Sequence, residues 1–507
     1  MRTRNRDIAS AREYHDRTTH SPHSVRASGH RLDWKNRPLP FKVYPELPPI
    51  ALPRDLPVPG MDALAALSGT ATGLTALDVP RLAALLFFSA GVTRARRYAS
   101  GEELHFRAAP STGALYQTEV YAVTGDVPEL EPAVHHFSPG DFALRSLRGG
   151  DFRGAVAATA ADDLIARQPA TLILSAIYWR NTWKYEARGY RHLFWDSGTL
   201  LSNLLATAVA LGVPARVVTG FVDTEINALL GLDPTKEGAL VLVPIGSAGR
   251  SAPAPPPVSS IAPAVVPLSS SQTEYPLLVH AYEDSSFESE DEVLDWRERA
   301  QAALPAPAPG ALLPLPAPRA AAGRTLGETI QARGSTRQFS RAAISAEELS
   351  TALYHATRGI TADIPLGVVD LYLTVHAVTG LTPGAYAYHP TAHALELIKS
   401  GDFRRDAAFL SLEQTLGGAS SATVFFLADL RAVLDRLGNR GYRVANLEAG
   451  VIGGRLYLAA YAQRFGATGL TFYDEAVVAF FSPHAAGKDA LFVTALGRSA
   501  SPREPDE

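Results

Sequence analysis

The chain has 507 residues, a net charge of −4, 46% hydrophobic and 19% charged residues, and no cysteine. Such a length and balance describe a folded chain with more than one core, excluding a disordered chain and giving no reason to expect nucleic acid or an acidic membrane surface as partner. Without cysteine there are no disulfides, thiolate nucleophiles, iron–sulfur clusters or cysteine zinc sites, and no apolar run approaches the ~20 residues of a membrane span, so a cytoplasmic chain is expected.

Residues 1–60 are broken by prolines and read as a mostly irregular arm laid over a domain surface. Leu82, Leu85, Leu86 and Ala90 then share one helical face. A polar stretch from Arg94 to Glu103 leads to Pro110-Ser111-Thr112-Gly113. Strands are expected at 120–123, 133–137, 172–178, 217–221 and 239–245, with an apolar helix over 196–211. Residues 251–320, rich in Pro and Ala, read as a linker, and its acidic run from Glu283 to Glu292 reads as solvated. The second domain opens with residues 326–334, then a helix opened by a Ser345-x-x-Glu348 capping box. Further on come a strand over 370–375, a helix over 448–463 and a last strand over 490–496. The division is thus an arm (1–60), a domain (61–250), a linker (251–320), a second domain (321–500) and a polar tail (501–507). The fourteen histidines include no His-Glu-x-x-His spacing, so no metal site is expected.

The two domains repeat one another. Pro139, Ala143, Leu144 and Gly150 to Arg153 recur 251 positions later, from Pro390 to Arg404, and Arg188-Gly189-Tyr190-Arg191 recurs 252 positions later as Arg440-Gly441-Tyr442-Arg443. Identities in one order over so long a span indicate a duplicated module forming an intrachain pseudo-dimer. Ahead of the repeated turn, Lys184 and Tyr185 in the first copy are replaced by Arg436 and Leu437 in the second.

Tyr14-His15-Asp16-Arg17-Thr18, the Pro-Ser-x-Gly element, Lys-Tyr ahead of Gly-Tyr-Arg, and Thr219-Gly220-Phe221 occur in that order over nearly the whole chain. Together they resemble the nitroreductase-like flavoproteins, and among them the SagB/ThcOx-type dehydrogenases that oxidise azoline rings in peptides. The resemblance implies an α+β fold of two domains, each a mixed sheet flanked by helices, with FMN between them. In that family an Arg-x-Ser-x-Arg element from one protomer and a Pro-Ser element from the other hold FMN. Guanidinium groups suit its phosphate, and small residues with backbone donors suit its ring.

The matching residues here are Arg333, Ser335 and Arg337 of the second copy and Pro110, Ser111, Thr112 and Gly113 of the first. Aligned at a shift of 267, the first copy has Ala66 to Thr70 in place of the arginines; at a shift of 251, the second has Thr361 to Ile364 in place of Pro-Ser. The losses are complementary, so one FMN per chain is expected. The backbone around Leu470, Thr471 and Phe472 is expected to face the flavin edge, and Arg498 is a further phosphate candidate.

By the same resemblance Lys184 is the base and Tyr185 its partner. Such a lysine needs burial or a nearby cation to lower its pKa; Trp183 and Tyr185 are candidates for cover, and Arg188 or Arg191 for charge. The function implied is FMN-dependent dehydrogenation of an azoline or related C–N unit in a peptide or small-molecule biosynthetic intermediate, with O₂ as acceptor and a cyclodehydratase or carrier as partner. The alternatives are an NAD(P)H-dependent nitro- or quinone reductase and a non-catalytic scaffold.

Overall fold

The computed structural model describes residues 4–69, 71, 73–97, 103–302 and 310–500. The polar tail 501–507 lies outside the described residues. The fold is α+β, built on two sheets and two long central helices. The first sheet has six strands in the order Pro49–Ala51, Ala143–Gly149, Ala133–Ser138, Thr118–Thr124, Ala170–Ile177, Glu237–Ile245. The second has seven, in the order Leu312–Pro314, Ala394–Ser400, Gly384–His389, Asp370–Val375, Ala422–Ala428, Asp489–Gly497, Gly466–Gly469. The first six strands of the second sheet repeat the order of the first. Its seventh corresponds to residues 215–218, which bridge to Glu237–Ile245 at Ala215–Ile245 and Val218–Leu242.

Both sheets are antiparallel throughout, not mixed as expected. Three neighbouring strands in each half follow one another through short turns, a connection open only to antiparallel pairs. Parallel pairing is confined, among the described residues, to a two-residue pair and isolated bridges. One of those bridges, Val217 to Ala362, lays a segment of the second half along the edge of the first.

The central helices, Gly189–Ala210 and Arg440–Ala462, are almost entirely buried. They cross where Gly198 faces the backbone of Leu447 and Val451, and Gly450 faces that of Trp195. A Cβ on Gly198 would stand 2.5 Å from the Leu447 oxygen, so neither side of the crossing admits a larger residue. The repeated Arg-Gly-Tyr-Arg turns tie the halves together at the helix starts. Arg188 and Arg191 meet Asp474 at 3.0 and 2.6 Å, and Arg440 and Arg443 meet Asp223 at 2.7 Å each, all buried. Burial alone would push the Asp474 carboxyl up, but Arg188, Arg191 and His15 outweigh it and hold it at about 2. Tyr190 and Tyr442 stack 6.4 Å apart between the clamps.

The arm and the linker are more ordered than their prolines suggest. The arm forms helices Ala9–Arg17 and Pro22–Ala27, the second closed by a capping box on Ser21 and Ser24. The linker forms helices Pro276–Asp284 and Glu290–Ala300. Its acids do not simply face water: Ser289 caps the second helix and Glu290, Asp291 and Glu292 fill its first turn, where the helix dipole favours negative charge. Val293, Trp296 and Ala300, at three- and four-residue spacing, are buried beneath them. Residues 303–309 of the linker lie outside the described residues.

Candidate active site

A cavity of about 1420 Å³ opens between the halves. Copy one contributes Pro110 to Gly113, Lys184, Tyr185 and Asp196; copy two contributes Arg333, Gly334, Ser335, Arg337, Tyr457, Leu470, Thr471 and Phe492. The arm adds His20 and His30, and the first linker helix adds Leu277 and His280. Two motifs 220 residues apart in sequence thus line one cavity.

Lys184 and Tyr185 end the Tyr178–Tyr185 helix and lean on the Ser111–Gly113 loop. Gly113 has φ +64°, and a Cβ there would stand 2.8 Å from the Tyr185 hydroxyl, so glycine answers both the backbone and the contact. Tyr185 is backed by His192, whose ring lies edge-on at 4.6 Å and whose Nδ1 meets Asn181 Oδ1 at 2.8 Å. The arm grips the same helix, since Trp183 Nε1 donates to Asp33 O and His30 Nε2 meets Trp183 O, both at 3.1 Å.

Burial lowers the Lys184 ammonium from its ordinary value, and Arg337 and Arg37 lower it further. The charge therefore comes from Arg337 and Arg37. Arg188 and Arg191 are committed to Asp474, which is why the adjacent arginines do not play the tuning role expected of them. Burial raises the Tyr185 hydroxyl, with Asp196 adding to the effect.

Asp196 organises the loop. Its carboxylate accepts from Ser111 Oγ at 2.5 Å, Thr112 N at 2.8 Å, Thr112 Oγ1 at 2.7 Å and Gln117 Nε2 at 2.7 Å. Burial pushes it up to about 6 in spite of those bonds. The sequence reading passed over it, although a carboxylate inside an apolar helix, with Glu448 at the matching position 252 residues on, was the available signal.

On the copy-two side, Arg333 follows the Leu326–Ala332 helix and donates to the backbone oxygens of Ala108 and Arg107, each at 2.9 Å. It thereby pins the phosphate-binding candidate to copy one. Ser335 Oγ meets the Tyr457 hydroxyl at 3.2 Å, and that hydroxyl accepts from Gly469 N at 2.5 Å. Thr471 Oγ1 accepts from Gln414 Nε2 at 2.8 Å. Arg337 is exposed at the rim.

Two expected residues lie elsewhere. Phe472 is fully buried behind the wall, against Trp195 and the Arg188 guanidinium. Arg498 pairs with both oxygens of Glu348, the capping glutamate of the Ala346–Ala356 helix, at 2.7 and 2.8 Å, which commits its guanidinium away from the cavity. The register of the lost arginines also shifts. Ala63 N bonds to Arg324 O and Leu326 N to Met61 O, which matches the halves at 263 rather than 267. No arginine occurs anywhere in 63–77, so the conclusion that copy one lacks the pair is unchanged.

The donor set fits FMN: guanidinium groups and a hydroxyl on one side, and glycines, Ser111, Thr112 and backbone on the other, in a space exceeding the ~300–1,000 Å³ of ordinary ligand pockets.

The Nitroreductase family model matches residues 82–247. A Methanocaldococcus jannaschii protein, MJ1384, named a nitroreductase, is 31% identical over 171 residues, 34% of this chain and 81% of its own length. The chain belongs to the nitroreductase family. A crystal structure of a protein assigned as a nitroreductase from Anabaena variabilis follows it over 97% of this chain and 99% of its own, with a TM-score of 0.78 and 27% identity. The Escherichia coli microcin B17-processing protein McbC is 26% identical over 149 residues, 26% of this chain and 51% of its own. No helix among the described residues is long and apolar enough to cross a membrane.

Proposed function

We propose that this nitroreductase-family chain is a tandem duplicate that binds one FMN and dehydrogenates an azoline-type ring, or a related C–N unit, in a peptide or natural-product intermediate. The observation that carries the reading is the meeting of Lys184 and Tyr185 with Arg333, Ser335 and Arg337 on one cavity. The similarity to McbC, a peptide-processing protein, supports a peptide substrate. The matching strand orders of the two sheets support duplication.

Bound FMN supplies the two-electron acceptor, with O₂ to reoxidise it. The chain's residues do the rest. Ser111, Thr112 and Gly113, hung from Asp196, shape one wall. Neutral Lys184 takes the proton from the substrate carbon, and its lowered pKa raises the neutral fraction near physiological pH. The Tyr185 hydroxyl stays protonated and donates a hydrogen bond to orient the substrate. Such an enzyme works in the cytoplasm beside the cyclodehydratase or carrier that delivers its substrate.

The decisive experiment is Lys184→Ala. It retains one FMN per chain, read from flavin absorbance, and loses about 10²–10⁴-fold in turnover of an azoline peptide. Undiminished turnover sinks the assignment. The likeness to MJ1384 favours a second reading, reduction of nitro or quinone compounds by NAD(P)H. Rapid bleaching of the bound flavin by NADPH alone selects that reading.

A further inference from the structure

The place in the molecule that corresponds to the cavity, with the halves exchanged, is full. Its landmarks are Arg436 and Leu437 for Lys184 and Tyr185, Ala362 and Asp363 for Ser111 and Thr112, and Val218 and Thr219 for Leu470 and Thr471. The last match is fixed by hydrogen bonds: Val218 N donates to Leu242 O and Leu470 N to Val493 O in equivalent strands.

Three of these landmarks converge on the second linker helix. Trp296 is 0% exposed and donates from Nε1 to Leu437 O at 2.9 Å. Its ring lies against Gly220, where an added Cβ would stand 2.9 Å from it. Asp363 accepts from Thr219 N and Oγ1, both at 2.9 Å, and from Gly220 N at 2.8 Å. Arg297 donates to Ala160 O at 2.8 Å and faces Asp363 at 3.6 Å. Phe287 closes the other side of Trp296, ring to ring at 5.4 Å, and its own N–H donates to Asp223 of the clamp.

We propose that the Phe287–Ala300 segment is a built-in occupant of the second cofactor place, with Trp296 as its aromatic filling and Asp363 taking the backbone donors. This rests on the reading of the open cavity as a cofactor site only for the name of what is displaced; the packing stands by itself. Asp363 then has a role that its counterpart Thr112 does not: Thr112 donates to Asp196 in the open cavity, whereas Asp363 accepts and shuts the closed one. The linker thus serves both places, since its first helix walls the open cavity and its second fills the closed one.

The test uses the full chain. Trp296→Ala leaves an indole-sized void, so millimolar indole raises its melting temperature by roughly 2 °C or more and leaves the wild type unmoved. Equal shifts in both proteins, or none in either, overturn the proposal, as do two FMN per wild-type chain. A double-mutant cycle of Trp296→Ala with Gly220→Ala gives a second measure: the added methyl costs more beside Trp296 than without it, when only the Asp363 oxygen at 3.2 Å still crowds it, and additive costs overturn the contact. Should Trp296→Ala not fold, Trp296→Phe serves in the same cycle. A purified chain without FMN defeats the reading of the open cavity, while the indole and cycle results still decide the plug.

Discussion

The open cavity and its filled counterpart share one scaffold and differ in nearly every side chain that carries chemistry. The clamps match closely, with two buried arginines on one aspartate in each half. Around them Lys184 and Tyr185 correspond to Arg436 and Leu437, Ser111 and Thr112 to Ala362 and Asp363, and open space to Trp296. What both halves need in order to pack is symmetric, while what one site alone needs differs. A residue's presence in both copies therefore points to architecture, and its presence in one to function.

The clamps give the strongest test of that distinction. Removing one partner of a buried ion pair leaves an uncompensated charge and costs about 3–5 kcal/mol. Asp223→Ala and Asp474→Ala should therefore lower stability by similar amounts in denaturant unfolding, although only Arg188 of the Asp474 clamp touches the open cavity. A large difference between the two would show that one clamp serves the site. The converse substitution is Arg436→Lys with Leu437→Tyr. It should add neither turnover nor a second flavin per chain, because the place it furnishes is full, and the larger ring at buried Leu437 should lower stability.

Arg337 comes next in size. Charge-assisted hydrogen bonds contribute about 1.5–3 kcal/mol each, so Arg337→Ala should weaken FMN binding roughly 10–100-fold in a fluorescence titration. It should also move the rising limb of the pH–rate profile upward, since Arg337 helps to hold Lys184 below its ordinary pKa. Arg431, exposed on the second half, carries neither role, and Arg431→Ala should change neither quantity. Weaker FMN binding with an unmoved profile would separate the phosphate role from the tuning role.

Much of this asymmetry is legible in the sequence, because insertion-free stretches of the two copies can be laid on one another by subtraction. The strands over 133–138 and 384–389, the central helices and the complementary motif losses follow from that register. Three things do not. Which way an arginine turns depends on partners far away in sequence: Arg188 and Arg191 sit beside Lys184 in the chain yet answer Asp474, some 283 residues away or more. Arg498 likewise looks like a phosphate ligand until Glu348 is placed beside it. Trp296 lies in an acidic, proline-flanked stretch whose average character conceals a short apolar stripe at helical spacing. Composition reports the exposed face of such a helix more loudly than the buried one. The four-residue slip arose because the stretch between matching helices differs in length, 69–78 against 333–345, and no periodicity crosses such a gap.

The smallest effect separates the two places by their buried carboxylates. Asp196 and Glu448 occupy matching positions on the central helices, and burial pushes them up to about 6 and about 7. A carboxyl whose folded pKa is raised binds its proton more tightly in the folded state, so its contribution is fully present below the unfolded value and falls away as pH rises through the folded one. For Asp196 the loss runs from its unfolded value up to about pH 6 and levels off above it, with on the order of 1 kcal/mol falling between pH 5 and pH 7; for Glu448 the loss runs on to about pH 7. Unfolding free energies of Asp196→Asn and Glu448→Gln, measured against the wild type across pH 5–8, should each remove one of these slopes. The two variants then part company in flavin content. Asp196 carries the Ser111–Thr112 loop of the open cavity, whereas Glu448 accepts only the backbone of Gly367 and Val368. Asp196→Asn should therefore loosen FMN, and Glu448→Gln should leave it bound; equal flavin loss in both would place the two carboxylates in the architecture and remove Asp196 from the site.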